Sequence, residues 1–149
     1  MKSVRVSAFA KVNLRLGVLG RRADGYHELR TIFQAISLHD TLALETKQEP
    51  GIDLCIAGNS QLAGEPGSDN LAYRALDQLS SEIGIQHGVR AVLTKRIPVG
   101  RGLGGGSSDA AAALLGLLRL AGKRIAVEAV KGQHALMRRR TADGRRPSI

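Results

Sequence analysis

The sequence predicts an α+β domain, a mostly antiparallel sheet backed by two helices. Three observations predict it. Every even-numbered residue from Val4 to Val18 is apolar, and a period of two held over that length marks β structure with one buried face. Leu71, Ala72, Ala75, Leu76, Leu79 and Ile83 recur at helical spacing. A run with five glycines in seven residues, Gly100–Gly106, leads into an alanine- and leucine-rich stretch that reads as a second helix.

Taken in order, the first strand region carries Val4, Val6, Ala8, Ala10, Val12, Leu14, Leu16 and Val18 toward the core. Lys11 and Asn13 then stand side by side on its other face. Asp24-Gly25 is a turn signal that ends this region. Leu29–Ser37 and Thr41–Thr46 read as further strands, followed by Ile52–Ala57 after the Pro50-Gly51 turn. The Gly/Pro/Ser-rich segment 58–68 is a loop. The first helix follows, with Asp69 or Asn70 to cap it and Gly84 to stop it. Val89–Thr94 returns to strand, and Ser107-Ser108-Asp109 opens the second helix, which runs to about Ala121. There is no internal repeat.

The 149 residues amount to one ordinary domain with room for a packed core. At 43% hydrophobic and 23% charged the chain is neither membrane-like nor of disordered composition. The longest apolar stretch, Ala110–Leu118, is too short for a membrane span. The first twelve residues lack the unbroken apolar core of a secretory signal, so the expected location is cytoplasmic. Cys55 is the sole cysteine; it reads as a small core residue of a strand and excludes an internal disulfide framework. Four scattered histidines, His39, His87 and His134 among them, show no metal-ligand spacing. No protein-held metal site is expected.

The net charge of +9 is uneven along the chain. Residues 1–122 hold 14 basic and 11 acidic residues, whereas residues 123–149 hold 8 and 2. The end of the chain, with Arg138-Arg139-Arg140 and Arg145-Arg146, has no hydrophobic periodicity and reads as a basic, atypical tail. A nucleic-acid-binding role built on it is weakly supported, because no aromatic residue follows Tyr73 to serve as a stacking platform.

A glycine-rich turn before a helix has a definite chemistry. The helix start offers unpaired N–H groups and a partial positive charge, and glycines let the backbone approach an anion closely. Gly100–Gly105 satisfies the letters G-x-G-x-x-G, but it comes late in the domain and has no acidic residue about 20 positions on. The P-loop pattern fails for want of its lysine. A phosphate cradle of another kind is the reading that remains.

At this point the residues carry a resemblance. The run from Pro98 through Val99, Gly100, Arg101, Gly102, Leu103, Gly104, Gly105, Gly106, Ser107 and Ser108 to Asp109-Ala110-Ala111 resembles the phosphate loop of the GHMP small-molecule kinases. Ala8–Leu14, with Lys11 and Asn13, then Arg22–Leu29, with Tyr26 and His27, and then Phe33-Gln34 resemble one branch of that family. That branch phosphorylates the 2-hydroxyl of a cytidine diphosphate-linked methylerythritol in non-mevalonate isoprenoid precursor synthesis. The resemblance implies a ribosomal protein S5 domain 2-like fold over residues 1–122, ATP and Mg²⁺ as cofactors, and a small-molecule substrate. It implies that Gly100–Ser108 hold the nucleotide phosphates, with the Ser107 and Ser108 hydroxyls available to phosphate or Mg²⁺. Lys11 would stand near the attacking hydroxyl and Asn13 would bind substrate. Tyr26 and His27 would form the cytosine site, and Asn70 and Lys95 would lie near the adenine nucleotide. Asp109 is adequately explained by the helix dipole and is not assigned as a base.

The family pattern breaks near Ala121-Gly122. Enzymes of this branch continue into a Gly-Ala-Asp-Val-Pro segment that carries a catalytic aspartate, and then into a further domain. Here Thr141–Gly144 contains an Ala-Asp pair without those neighbours, so Asp143 is not assigned as the base. An altered reading frame accounts for the arginine-rich end, and a neighbouring frame beyond codon 122 is expected to encode the missing segment. An apolar face left uncovered by the absent portion is expected to promote self-association. The alternative is a nucleotide-binding remnant without turnover.

Overall fold

The computed structural model describes residues 2–21, 25, 27–58 and 67–123. Tyr26, the Asp24 turn residue and nearly all of the basic tail, including His134 and Asp143, lie outside the described residues. Strands β1 (Ser3–Arg21), β2 (His27–Lys47) and β3 (Ile52–Gly58) are followed by helix α1 (Leu71–Ile83), strand β4 (Gly88–Lys95) and helix α2 (Gly105–Leu120). The sheet order is β1-β2-β4-β3. β1–β2 and β2–β4 pair antiparallel, while β3–β4 pair parallel across the α1 crossover.

The helices lie on one face of the sheet. Val6 and Ala8 of β1, Leu42 and Leu44 of β2 and Val89, Ala91 and Leu93 of β4 bury against Ala75, Leu76 and Leu79 of α1 and Ala113, Leu114 and Leu117 of α2. Gly116 lets α2 lie close against the sheet: a Cβ there would stand 2.5 Å from Leu44 Cδ1. Asn70 caps α1, its side chain accepting the Ala72 N–H at 2.9 Å, and Gly84 ends the helix at φ 66°. Of the two caps the sequence offers, Asn70 is the one used; Asp69 lies in a preceding 3-10 turn.

Four expectations are corrected. The strands expected at 29–37 and 41–46 are one continuous strand, β2, with Leu38–Asp40 inside it rather than in a turn. α2 begins at Gly105, three residues before Ser108, because Gly104 at φ 75° already turns the chain into the helix. Cys55 is exposed, facing away from the helices between the partly buried Leu54 and Ile56. The apolar series of β1 is buried only to Ala10; beyond it Leu14 is 67% exposed, and Leu16 and Val18 are exposed as well. Register shifts at Phe9/Lys11 and Asn13/Arg15 interrupt the alternation. Among the described residues β4 pairs with β2 only at Thr41–Lys47, so the outer halves of β1 and β2 form a two-stranded ribbon beyond the helices.

Candidate active site

The site is built where β4 ends. The chain leaves the sheet at Lys95, passes Ile97-Pro98 and crosses to α2 through Gly100, Gly102 and Gly104, whose φ values are 73°, 71° and 75°. Left-handed glycines alternating with residues of negative φ fold a backbone into a concavity of N–H groups suited to anions. At Gly100 and Gly102 a Cβ would meet nothing within 4 Å. Glycine is needed there for backbone shape, with open space above it. The unpaired N–H groups of the first turn of α2 face the same region, with the helix dipole behind them.

These elements enclose a cavity of about 320 Å³ lined by Asn70 and Leu71 at the start of α1, Lys95, Ile97 through Ser107, and Asp109. The structure therefore brings together Asn70, Lys95, Pro98, Val99, Gly100–Gly106 and Ser107 around one cavity. Ser108 is not itself part of the lining, although its neighbours Ser107 and Asp109 are. Lys11 joins from β1. Its N–H donates to Leu103 O at 2.9 Å, and a Cβ on Gly104 would sit 3.2 Å from its Cγ. Lys11 Nζ donates to Asn13 Oδ1 at 3.2 Å, so the two candidate residues of β1 act as a pair beside the loop. His27 is not brought there. It is exposed and pairs with Arg21 at the far tip of the ribbon.

Below the loop lies a group of charges that the sequence reading missed. Asp40 of β2 is fully buried. Its Oδ1 accepts the N–H groups of Arg96, at 2.5 Å, and Ile97, at 2.8 Å, and its Oδ2 accepts from Lys95 Nζ at 2.5 Å. Lys95 Nζ also donates to Asp109 Oδ2 at 2.6 Å. Lys95 is 6% exposed and Asp109 only 3%. The helix dipole therefore does not suffice to explain Asp109, which is half of a buried ion pair. Parity carried a signal for Asp40, which shares its face of β2 with Leu42 and Leu44. A carboxylate at such a position needs a partner.

One ammonium between two carboxylates leaves an unequal division of charge. Burial works to raise the Asp40 carboxyl, but the Arg96 N–H, Lys95 and the Ile97 N–H outweigh it and hold it below the usual carboxylate range. Burial works to lower Lys95, and the hydrogen bonds it donates to Asp109 and Asp40 outweigh that, leaving it raised. Asp109 is pushed up to about 6, first by burial and also by the charge of Asp40, against the pull of Lys95. Asp109 Oδ1 is buried without a hydrogen-bond partner, so Asp109 is the member that takes a proton. Among the described residues no cluster of His, Cys, Asp or Glu could hold a metal ion. No helix among them is long and apolar enough to cross a membrane.

Comparison with known proteins agrees with this geometry. The family model for the GHMP kinases N terminal domain matches residues 70–137. The chain has the fold of the GHMP kinase N-terminal domain. It is 47% identical over 122 residues to a 4-diphosphocytidyl-2-C-methyl-D-erythritol kinase of Geobacter sp. (strain M21), covering 82% of this chain and 42% of the relative. It is 50% identical over 117 residues to the kinase of the same name from Moorella thermoacetica, covering 78% and 39%. A crystal structure of 4-(cytidine 5'-diphospho)-2C-methyl-D-erythritol kinase superposes with a TM-score of 0.71 at 45% identity, over 85% of this chain and 44% of that one. A mevalonate kinase at 19% identity shares the fold, with a TM-score of 0.65. The chain thus spans less than half the length of the relatives it matches.

Proposed function

We propose that this chain binds the polyphosphate of ATP in the 100–107 cradle and supplies the lysine-bearing half of a phosphoryl transfer. The acceptor is the 2-hydroxyl of 4-diphosphocytidyl-2-C-methyl-D-erythritol, as the names of its relatives suggest. The observation that carries the reading is the attachment of the glycine loop to Lys11, through the Leu103 carbonyl and the close approach of Gly104. Phosphoryl transfer is chiefly positioning and charge stabilisation, and this contact sets an ammonium beside an anion cradle. Asn13, held by Lys11, is the substrate contact in this reading; His27, with Tyr26, would serve only the cytosine end of the substrate, since His27 stands away from the loop. Asn70 and Lys95 border the nucleotide, and the Ser107 and Ser108 hydroxyls remain for phosphate or Mg²⁺. Magnesium suits such a site without a protein cage, because it is held largely by phosphates and water. Where ATP is supplied, in the cytoplasm, the reaction has both its substrates.

The 149 residues contain no Gly-Ala-Asp-Val-Pro segment, so this chain alone is expected to bind nucleotide and turn over slowly. Loss of a positioned general base costs about 10²- to 10⁴-fold. Calorimetric titration with MgATP, alongside a phosphoryl-transfer assay on the cytidylyl substrate, tests both parts. ATP binding with turnover that is weak and falls further in Lys11→Ala is the expected result. Absence of ATP binding would overturn the reading. ATP binding with no turnover at all would make the chain a nucleotide-binding fragment.

The exposed apolar ribbon belongs to the same proposal. Leu14, Leu16, Val18, Ile32 and Phe33 are each more than half exposed, and apolar surface of this kind favours association of copies. Light scattering at rising concentration is expected to show oligomers, reduced by Phe33→Ser. A monomer at every concentration would contradict this.

A further inference from the structure

Of the three buried charges below the loop the site just proposed uses only Lys95, as a border of the nucleotide, and their arrangement answers a structural need. The parallel ladder between β3 and β4 ends at the Gly58–Lys95 pair. The next two N–H groups, those of Arg96 and Ile97, would be orphaned where the chain turns toward the loop. Asp40, reaching across from β2, accepts both. Its other oxygen holds Lys95 Nζ, and that ammonium reaches on to Asp109 in α2. The first residue of the helix closes over this tie: a Cβ on Gly105 would lie 3.0 Å from Ile97 Cγ2 and 3.5 Å from Lys95 Nζ. A single carboxylate thus fixes the start of the glycine loop directly and its end through one lysine.

Stability alone is a poor explanation for this cluster. Burying an ion pair costs much of what the attraction returns, and apolar side chains of similar volume commonly do as well or better. What charges provide that apolar groups do not is direction. Each hydrogen bond here sets the position of a backbone or side-chain group adjoining the loop. An anion cradle works only when its N–H groups already converge before the ligand arrives, because ordering them on binding subtracts from affinity.

We propose that Asp40 is a positioning residue for the phosphate cradle, tying both ends of the glycine loop to the sheet through the Arg96 and Ile97 N–H groups and the Lys95–Asp109 bridge. Lys95 serves this tie and is not itself a phosphate ligand. The inference deepens the proposed function and rests on it for the identity of the ligand. The geometry of the tie is independent of that identity.

Asp40→Asn separates the two roles of Lys95. The amide keeps an acceptor for the backbone N–H groups and removes the negative charge that engages the ammonium. If Lys95 is part of the tie, MgATP binding weakens by roughly tenfold, the equivalent of one lost charge-assisted hydrogen bond. Amide exchange of residues 99–105 in the nucleotide-free chain accelerates by a similar factor, while that of core residues such as Leu42 and Leu93 stays as in the unaltered chain. If Lys95 is a phosphate ligand, the freed ammonium leaves affinity unchanged or tightens it, and the proposal is overturned. Unchanged exchange in the loop, or exchange that rises uniformly across the core, overturns it as well. Should the unaltered chain bind no ATP, the proposed function fails, and the exchange measurement still decides the tie. Should Asp40→Asn not fold, Asp109→Asn is measured in the same way; it cuts the bridge at the helix and is expected to accelerate exchange at the loop's end.

Discussion

Lys95→Met is expected to lower the melting temperature by on the order of 10 to 20 °C at pH 8 and by much less at pH 5. Methionine fills the lysine's space without its charge, leaving Asp40 and Asp109 buried with no cation between them. Removing one partner of a buried ion pair costs about 3–5 kcal/mol, a large part of the 5–15 kcal/mol that holds a typical domain together. Asp40 still has its two backbone N–H groups, but the Asp109 side chain loses the one hydrogen-bond partner it has among the described residues. In the unaltered chain Asp109 already stands at about 6, against 3.8 for an ordinary aspartate, with burial as the main cause. Without the ammonium it rises further. A carboxyl raised in the folded state stabilises it fully below the unfolded value of 3.8 and loses that contribution as pH rises through the folded value. The variant therefore recovers on acidification from pH 8 to pH 5. The unaltered chain shows the same trend more gently, from Asp109 alone. Below pH 4 the depressed Asp40 reverses it, since its contribution is lost as it takes up a proton. Thermal melts followed by circular dichroism from pH 5 to pH 8 check this; a loss of stability independent of pH would show that the cluster does not carry its charge in the way described.

The sequence showed the frame of this site more clearly than its foundation. The α1 spacing with Asn70 and Gly84 at its ends, and the glycine run before a helix, are local patterns set by neighbouring residues, and the structure bears them out. Lys11 and Asn13 were legible as a pair because they are two apart on a strand, where side chains share a face. Asp40 was hidden by reading Leu38–Asp40 as a break between strands. Once β2 is continuous, parity puts the carboxylate on the same face as Leu42 and Leu44, but its partners lie more than fifty residues away and no local pattern points to them. Asp109 was obscured differently, because an acidic residue near a helix start already has a sufficient local explanation in the dipole. The outer part of β1 has the alternation of a half-buried strand, yet no layer covers it among the described residues. Periodicity reports which residues share a face and is silent on whether anything packs against that face.

Gly104→Ala is expected to weaken MgATP binding by roughly ten- to thirtyfold while leaving the fold intact. Two effects combine at this position. At φ 75° and ψ 17° the backbone is left-handed, a conformation that costs an L-residue about 1–2 kcal/mol. The added methyl would also stand 3.2 Å from Lys11 Cγ and 3.3 Å from Cε, close enough to push the lysine side chain off the loop. Gly100→Ala separates the two, because Gly100 has nearly the same φ, 73°, with nothing within 4 Å of the new Cβ. It carries the strain without the displacement. If Lys11 and the cradle form one site, Gly104→Ala is the weaker binder of the two, and it alone perturbs the Lys11 Nζ resonance in NMR spectra of the nucleotide-free chain. Asparagine, which tolerates the left-handed region better than alanine, should recover part of the strain at Gly100 but little of the loss at Gly104. Equal affinities for the two alanine variants would mean that the loop needs its glycines for backbone shape alone. Lys11 would then lie beside the cradle without belonging to it, and the case for phosphoryl transfer would lose the contact on which it stands.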